Sequence, residues 1–199
     1  MPAHLVIFLL VALVAEVIGT ITGFGATTIL LPVAAMLYPL PTAIAYSALF
    51  HGLGTAWRSA FFARGINWHI ALAFGLPSLV FSYLGARLLV VVDPQLISRI
   101  LGVALISYAG YSLVKHRLGL PRQLLWLAGG GVITGFLAGL IGTAGAIRGA
   151  FLTAWKLPKG VYLGTGAVMG LGADAVRLVA YQQTGLLSAN YQLVIIFLL

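Results

Sequence analysis

Apolar residues run in long stretches along this 199-residue chain, broken by glycine and proline and only rarely by charge. Uncharged runs extend from Val17 to Trp57, from Gln123 to Ile147 and from Leu178 to Leu199, each longer than the roughly 20 apolar residues that cross a bilayer core. Read by apolar length and Gly/Pro punctuation, the pattern predicts helical segments near 4–20, 25–38, 42–63, 68–92 and 95–114. A basic stretch, Lys115-His116-Arg117 with Arg122, interrupts it. Segments near 123–141, 146–156 and 160–183 follow, and one beginning near 188 is still apolar at Leu199. The N-terminal run lacks the basic region and cleavage site of a secretory signal, so it reads as a retained span. The expected fold class is all-α, a polytopic transmembrane helical bundle.

The order of short and long segments recurs, and so do particular residues. Gly19-Thr20-Ile21-Thr22-Gly23-Phe24-Gly25 falls on Gly139-Leu140-Ile141-Gly142-Thr143-Ala144-Gly145 at an offset of 120. Pro41 then falls on Pro158, Ala56-Trp57-Arg58 on Ala175-Val176-Arg177, and Gly65 on Gly185, at offsets between 117 and 120. This collinearity predicts a duplication, with residues 1–120 as a first transmembrane repeat and 121–199 as a second that stops short of the first by about 40 residues. Further C-terminal spans are therefore expected, because unpaired backbone groups in lipid are costly.

Basic residues mark the cytoplasmic side of short loops. Placing Lys115 to Arg122 inside puts the turn at Asp93-Pro94 outside, the turn with Arg64 inside and Tyr38 to Pro41 outside. If the two short segments after residue 122 form a hairpin that enters and leaves on one side, Lys156 and Lys159 lie inside and Gly185 to Ser188 outside. Equivalent turns then face opposite sides: two inverted repeats, each with a broken or re-entrant helix pair, as in secondary transporters whose sites lie near the midplane. The alternatives are kinked single spans or a parallel topology.

Composition narrows the function classes. Hydrophobic residues make up 61% of the chain and charged ones 7%, against the roughly 25–35% charge of a soluble surface. The net charge of +8 comes from 11 scattered Lys and Arg against three acids, which argues against nucleic acid as a partner and for the lipid bilayer. With no cysteine, disulfides, thiolate catalysis and Cys-ligated metal are excluded; no metal site or cofactor is expected. No spacing supports an enzyme: His-Glu-x-x-His, Gly-x-Ser-x-Gly and a phosphate loop are all missing from the sequence. Twenty-five glycines allow close helix approach and broken backbones.

The candidate chemistry clusters at the breaks. In Gly142-Thr143-Ala144-Gly145-Ala146-Ile147-Arg148, the glycines expose amide N–H groups, and a helix starting here points its positive dipole end at the break. Arg148 adds a planar fork of donors suited to carboxylate, sulfonate, sulfite or phosphate oxygens. The first copy offers Gly23, Phe24, Gly25, Thr27 and Thr28, with Thr28 standing where the second copy has Arg148. The alternative is that these glycines only pack helices. Asp174 and Arg177 share a helix face and can neutralise each other, either as structural glue or as a substrate or proton site, with Tyr181 one turn further on. Glu16 is a candidate proton-coupling site, its alternatives being a salt bridge to an arginine of another helix or a position near the interface. His51 is a second such site, its alternative a hydrogen-bonded packing residue. Arg58 is expected to snorkel towards the interface.

At these motifs the chain resembles the sulfite exporter TauE/SafE family, also called the toluene-sulfonate uptake permease family. The second copy carries the stronger likeness, through Gly139 to Arg148, Leu152, Lys159, Thr165 and Asp174-x-x-Arg177-x-x-x-Tyr181-x-x-x-Gly185; the first matches through Gly19, Gly23, Gly25 and Pro32. The family's Gly-x-Gly-Gly run is altered to Phe24-Gly25-Ala26 and Thr143-Ala144-Gly145. The resemblance implies a permease or exporter of the prokaryotic inner membrane that moves small, often sulfur-containing anions such as sulfite or organosulfonates. The resemblance does not fix direction, substrate or coupling ion; a proton or sodium is the candidate coupling partner. The competing expectations are a channel-like pore and a structural membrane subunit without transport.

Overall fold

A computed structural model describes residues 3–22, 26–114 and 123–187. The helices are α1 (Ala3–Thr22), α2 (Ala26–Leu37), α3 (Leu40–Phe61), α4 (Trp68–Leu88), α5 (Pro94–Val114), α6 (Leu124–Ile141), α7 (Gly145–Ala154) and α8 (Lys159–Gln183), with a short 3₁₀ turn at Ala63–Gly65. They fall on the predicted segments, except that α4 stops at Leu88 where the apolar run continues to Val92. The segment expected from 188, the basic stretch 115–122 and the repeat boundary at residue 120 lie outside the described residues.

Local chemistry sets the helix ends. Pro39 and Pro158 precede α3 and α8 in an extended conformation, where a residue without an N–H and with fixed φ costs the helix nothing. Asn67 caps α4 by accepting the Ile70 N–H at 3.1 Å, while its own N–H is donated to Thr165 Oγ1 at 2.9 Å. Gly142 ends α6 in the left-handed region at φ 75°, which side chains disfavour and glycine accepts.

Two hairpins and a close-packed centre make up the bundle. Tyr38, just beyond α2, meets the rings of His4 and Phe8 at 5.7 and 5.9 Å, so α2 folds back along α1. Phe151 of α7 sits against Gly130 of α6, so α7 folds back along α6. Backbones nearly touch between α4 and α6: a Cβ on Gly131, Gly135 or Gly139 would run into the carbonyls of Phe74, Ser78 and Ser82. Small residues every fourth position give membrane helices this close approach.

Helices α3 and α8 run antiparallel, pairing Phe62 with Gly164, Thr55 with Gly170, and His51 with Asp174. The turn after α3 therefore adjoins the start of α8, with Gly65 against the Gly160 carbonyl, and the α2–α3 turn lies at the opposite end. Arg64 and Lys159 thus lie at one end of the bundle.

The apolar interior falls into two parts, one around Phe8, Leu31, Ile44 and Ile141, the other around Ile70, Phe74, Leu127 and Met169. Large apolar side chains such as Leu10, Leu13, Trp57, Val80 and Ile106 face outward. Four described helices, His4–Thr22, α4, α6 and α8, are long and apolar enough to cross a bilayer. An outer surface of this kind belongs to an integral membrane protein.

Candidate functional site

The start of α2 meets the link that precedes α7. Thr27 and Thr28 occupy the first turn of α2, and Thr143 lies in the short non-helical link between Gly142 and α7. Thr27 Oγ1 donates to Thr143 Oγ1 at 3.2 Å, and Thr28 Oγ1 is also 3.2 Å from it. Two helix N-termini, those of α2 and α7, therefore point at one cluster of hydroxyls. Each brings up to four backbone N–H groups without a helical partner and the positive end of a helix dipole. Gly23, Phe24 and Gly25, the first copy's predicted break, lie outside the described residues.

The opposite pole of α6 ends at the same place and would weaken that field, but its carbonyls are already engaged. Arg177 Nη1 donates to Ala138 O at 3.0 Å and to Gly142 O at 3.1 Å, and Tyr181 Oη donates to Gly139 O at 2.7 Å. A cation on the last carbonyls of a helix is the favourable arrangement. Arg177 and Tyr181 thus pin the break from below, and what remains at the junction is the donor-rich, positive side.

A buried ionic cluster joins α3 to α8 beside this junction. Asp174 Oδ1 lies 2.7 Å from Arg177 Nη2, and Asp174 Oδ2 lies 2.7 Å from His51 Nδ1. Thr55 Oγ1 is 3.3 Å from that same carboxylate oxygen. Arg148 extends from the first turns of α7 towards α3 and α8. A Cβ on Gly170 would stand 3.0 Å from Arg148 Nη1 and 3.1 Å from Thr55 Cγ2, which places the guanidinium one turn from Asp174.

A second pair lies along α1 and α3. Glu16 Oε2 is 3.3 Å from Arg58 Nη2, and Arg58 Nη1 is 3.4 Å from Thr20 Oγ1. Arg58 is buried and does not snorkel as expected, because a carboxylate from another helix reaches it inside the bundle. Glu16 takes the salt-bridged arrangement that the sequence left as one of its readings.

The predicted residues therefore divide into two neighbouring groups. Thr27, Thr28, Thr143, Ala144 and Gly145 form the junction, while His51, Arg148, Asp174 and Arg177 form the ionic cluster. Gly142 links them through its carbonyl. Sequence reasoning missed Thr55, although the offset of 119 that aligns Ala56 with Ala175 also aligns Thr55 with Asp174. The cavity beside the junction, lined by Thr28, Leu105, Leu137, Thr143 and Ile147, measures about 40 Å³, room for a single water and little more. Among the described residues no three His, Asp or Glu side chains converge.

The sulfite exporter TauE/SafE family model matches residues 8–199. A probable membrane transporter protein of Methanocaldococcus jannaschii is 27% identical over 160 residues, covering 71% of this chain and 58% of that relative. The chain thus spans little more than half the length of the relative it matches. No solved structure matches it. With nearly every described helix inside the matched residues, the chain belongs to the sulfite exporter TauE/SafE family.

Proposed function

We propose that this chain carries the substrate site of a secondary transporter for small anions, sulfur-containing ones such as sulfite or organosulfonates, in a prokaryotic plasma membrane. The observation that carries the reading is a charge count at the junction. The chain holds three acids: Glu16 pairs with Arg58, Asp174 pairs with Arg177, and Asp93 sits in the exposed α4–α5 turn on the Gln95 N–H. Arg148 is buried, and the carboxylate that acts on it, Asp174, is already held by Arg177 and His51. An unbalanced cation inside a bilayer is expensive, and it stands on the helix whose N-terminus faces the three hydroxyls.

An anion held between the α2 and α7 termini and Arg148 would balance it. The donors are fixed N–H and O–H groups and a planar guanidinium, the set that suits sulfur oxyanions. The small cavity corresponds to a closed conformation, so binding requires the two hairpins to separate. The antiparallel pairing of α3 with α8 supports reading residues 1–120 and 121–199 as inverted repeats, with rocking of one against the other as the transport movement.

The test is anion uptake into proteoliposomes, with sulfite and methanesulfonate, for the wild type and Arg148→Gln. Loss of a buried charged partner costs about 2–5 kcal/mol, or roughly two orders of magnitude in affinity. Saturable flux that Arg148→Gln abolishes while helix content is retained supports the reading. Unchanged flux removes Arg148 from it, and flux that never saturates makes the protein a pore.

A further inference from the structure

We propose that His51 is the proton-loading residue of this anion site, so that a singly charged anion binds alone and a doubly charged anion binds together with one proton. This rests on the reading of Arg148 as the anion's partner. With Glu16 and Asp174 both ionised, the buried cluster holds Arg58, Arg148 and Arg177 against these two carboxylates, a surplus of one positive charge. A monoanion cancels that surplus. A dianion overshoots by one, and a proton taken up within the cluster restores the balance.

His51 is built to take that proton. It is buried in α3, and its Nδ1 lies 2.7 Å from Asp174 Oδ2 on α8. The carboxylate engaged by Arg177 is ionised and can only accept, so Nδ1 carries a hydrogen and Nε2 is left to gain or release the exchangeable one. Imidazole is the side chain that changes charge near neutral pH.

Two carboxylates act on His51, Asp174 from α8 and Glu16 from α1, and the arginines act on those carboxylates in turn: Arg177 from α8 and Arg148 from α7 on Asp174, Arg58 from α3 on Glu16. Asp174 is shared between His51 and Arg177. The second negative charge of an arriving dianion is what the added proton offsets. The proton comes from water, forms one N–H bond at Nε2 and leaves by breaking it, with no other bond made. Net movement of a dianion and a proton carries the same charge as a monoanion alone.

The experiment is calorimetric titration of the full chain in lipid nanodiscs with sodium sulfate and with sodium methanesulfonate. Two buffers of different ionisation heat are used, so that protons exchanged per anion are read directly. Sulfate is expected to bind with net proton uptake approaching one per anion on the alkaline side, its affinity falling about tenfold per pH unit there. Methanesulfonate is expected to bind with no uptake. His51→Gln and His51→Asn, checked for helix content and a single elution peak, should lose the uptake and lower the sulfate-to-methanesulfonate affinity ratio about tenfold or more.

Sulfate binding without proton uptake in the wild type overturns the proposal while leaving the anion site in place. Uptake that survives in the His51 variants and disappears in Glu16→Gln also overturns it and moves the proton to the Glu16–Arg58 pair. Failure of the wild type to bind either anion overturns the anion site itself, and this inference with it.

Discussion

Thr28 and Thr143, 115 residues apart in the chain, stand hydroxyl to hydroxyl at 3.2 Å where α2 and α7 begin. Each follows a place where one helix stops and another starts backwards, so the contact joins two interrupted helices rather than two continuous ones. Convergence of their N-termini concentrates unpaired N–H groups at one point in an otherwise apolar bundle. Such a concentration is unfavourable without water or a ligand to accept from it, which is why the site is read as one for anions.

Removing the shared hydroxyl tests whether the contact serves binding or only folding. Thr143→Val keeps the shape and loses two hydrogen bonds, each worth about 1 kcal/mol to stability. The expected outcome is a modest drop in thermal midpoint in detergent and a loss of anion affinity of roughly tenfold or more by calorimetry. A drop in stability with affinity unchanged would make the threonines packing residues.

Two glycines separate fold from site. Gly135→Ala pushes a methyl into the Ser78 carbonyl on the α4–α6 seam, backbone against backbone, and should abolish monodisperse expression. Gly170→Ala meets the ends of the Arg148 and Thr55 side chains at 3.0 and 3.1 Å, atoms that can give way by a few tenths of an ångström. Its expected signature is near-normal thermal stability with weakened anion binding. Normal binding in this variant would show that the Arg148 guanidinium has freedom the packing does not suggest.

Asp174→Asn removes the carboxylate that holds both Arg177 and His51. Breaking a buried pair from one side costs about 3–5 kcal/mol, because the remaining charge stays in place. Equilibrium unfolding in mixed micelles should show a loss of that order. Asp174→Asn combined with Arg177→Gln should recover little of it, since Arg177 also holds the carbonyls of Ala138 and Gly142. Full recovery would mean that those carbonyl contacts contribute nothing.

Much of this architecture was legible because the bilayer imposes a simple rule of apolar length. The breaks at the Gly142 motif and the starts of α3 and α8 follow from glycine and proline chemistry that needs no tertiary information. Partners across the bundle were harder. His51 and Asp174 are 123 residues apart, and nothing in either segment alone says which acid a histidine will meet. Arg58 was expected at the interface because its neighbours in sequence are a basic turn, whereas its position is set by Glu16 on another helix. The seam at Gly131, Gly135 and Gly139 shows the other difficulty: a glycine that lets backbones touch and one that ends a helix look alike until the neighbouring element is in place.

The absence of cysteine from the sequence makes single-cysteine labelling a direct test of topology. Pro39→Cys and Pro158→Cys lie in exposed turns at opposite ends of the bundle. In right-side-out vesicles a membrane-impermeant maleimide should label one and not the other. Labelling of both from the same side contradicts the antiparallel arrangement of α3 and α8 and the inverted repeats built on it.

The central claim is that the meeting of the two breaks holds an anion. The most direct measurement is an anomalous-scattering map from crystals of the full chain grown with selenate, the selenium analogue of sulfate. The account predicts a selenium peak between the Thr28 and Thr143 hydroxyls and the Arg148 guanidinium, lost in Arg148→Gln crystals. Selenium found only elsewhere on the protein, or the same peak retained without Arg148, would contradict it.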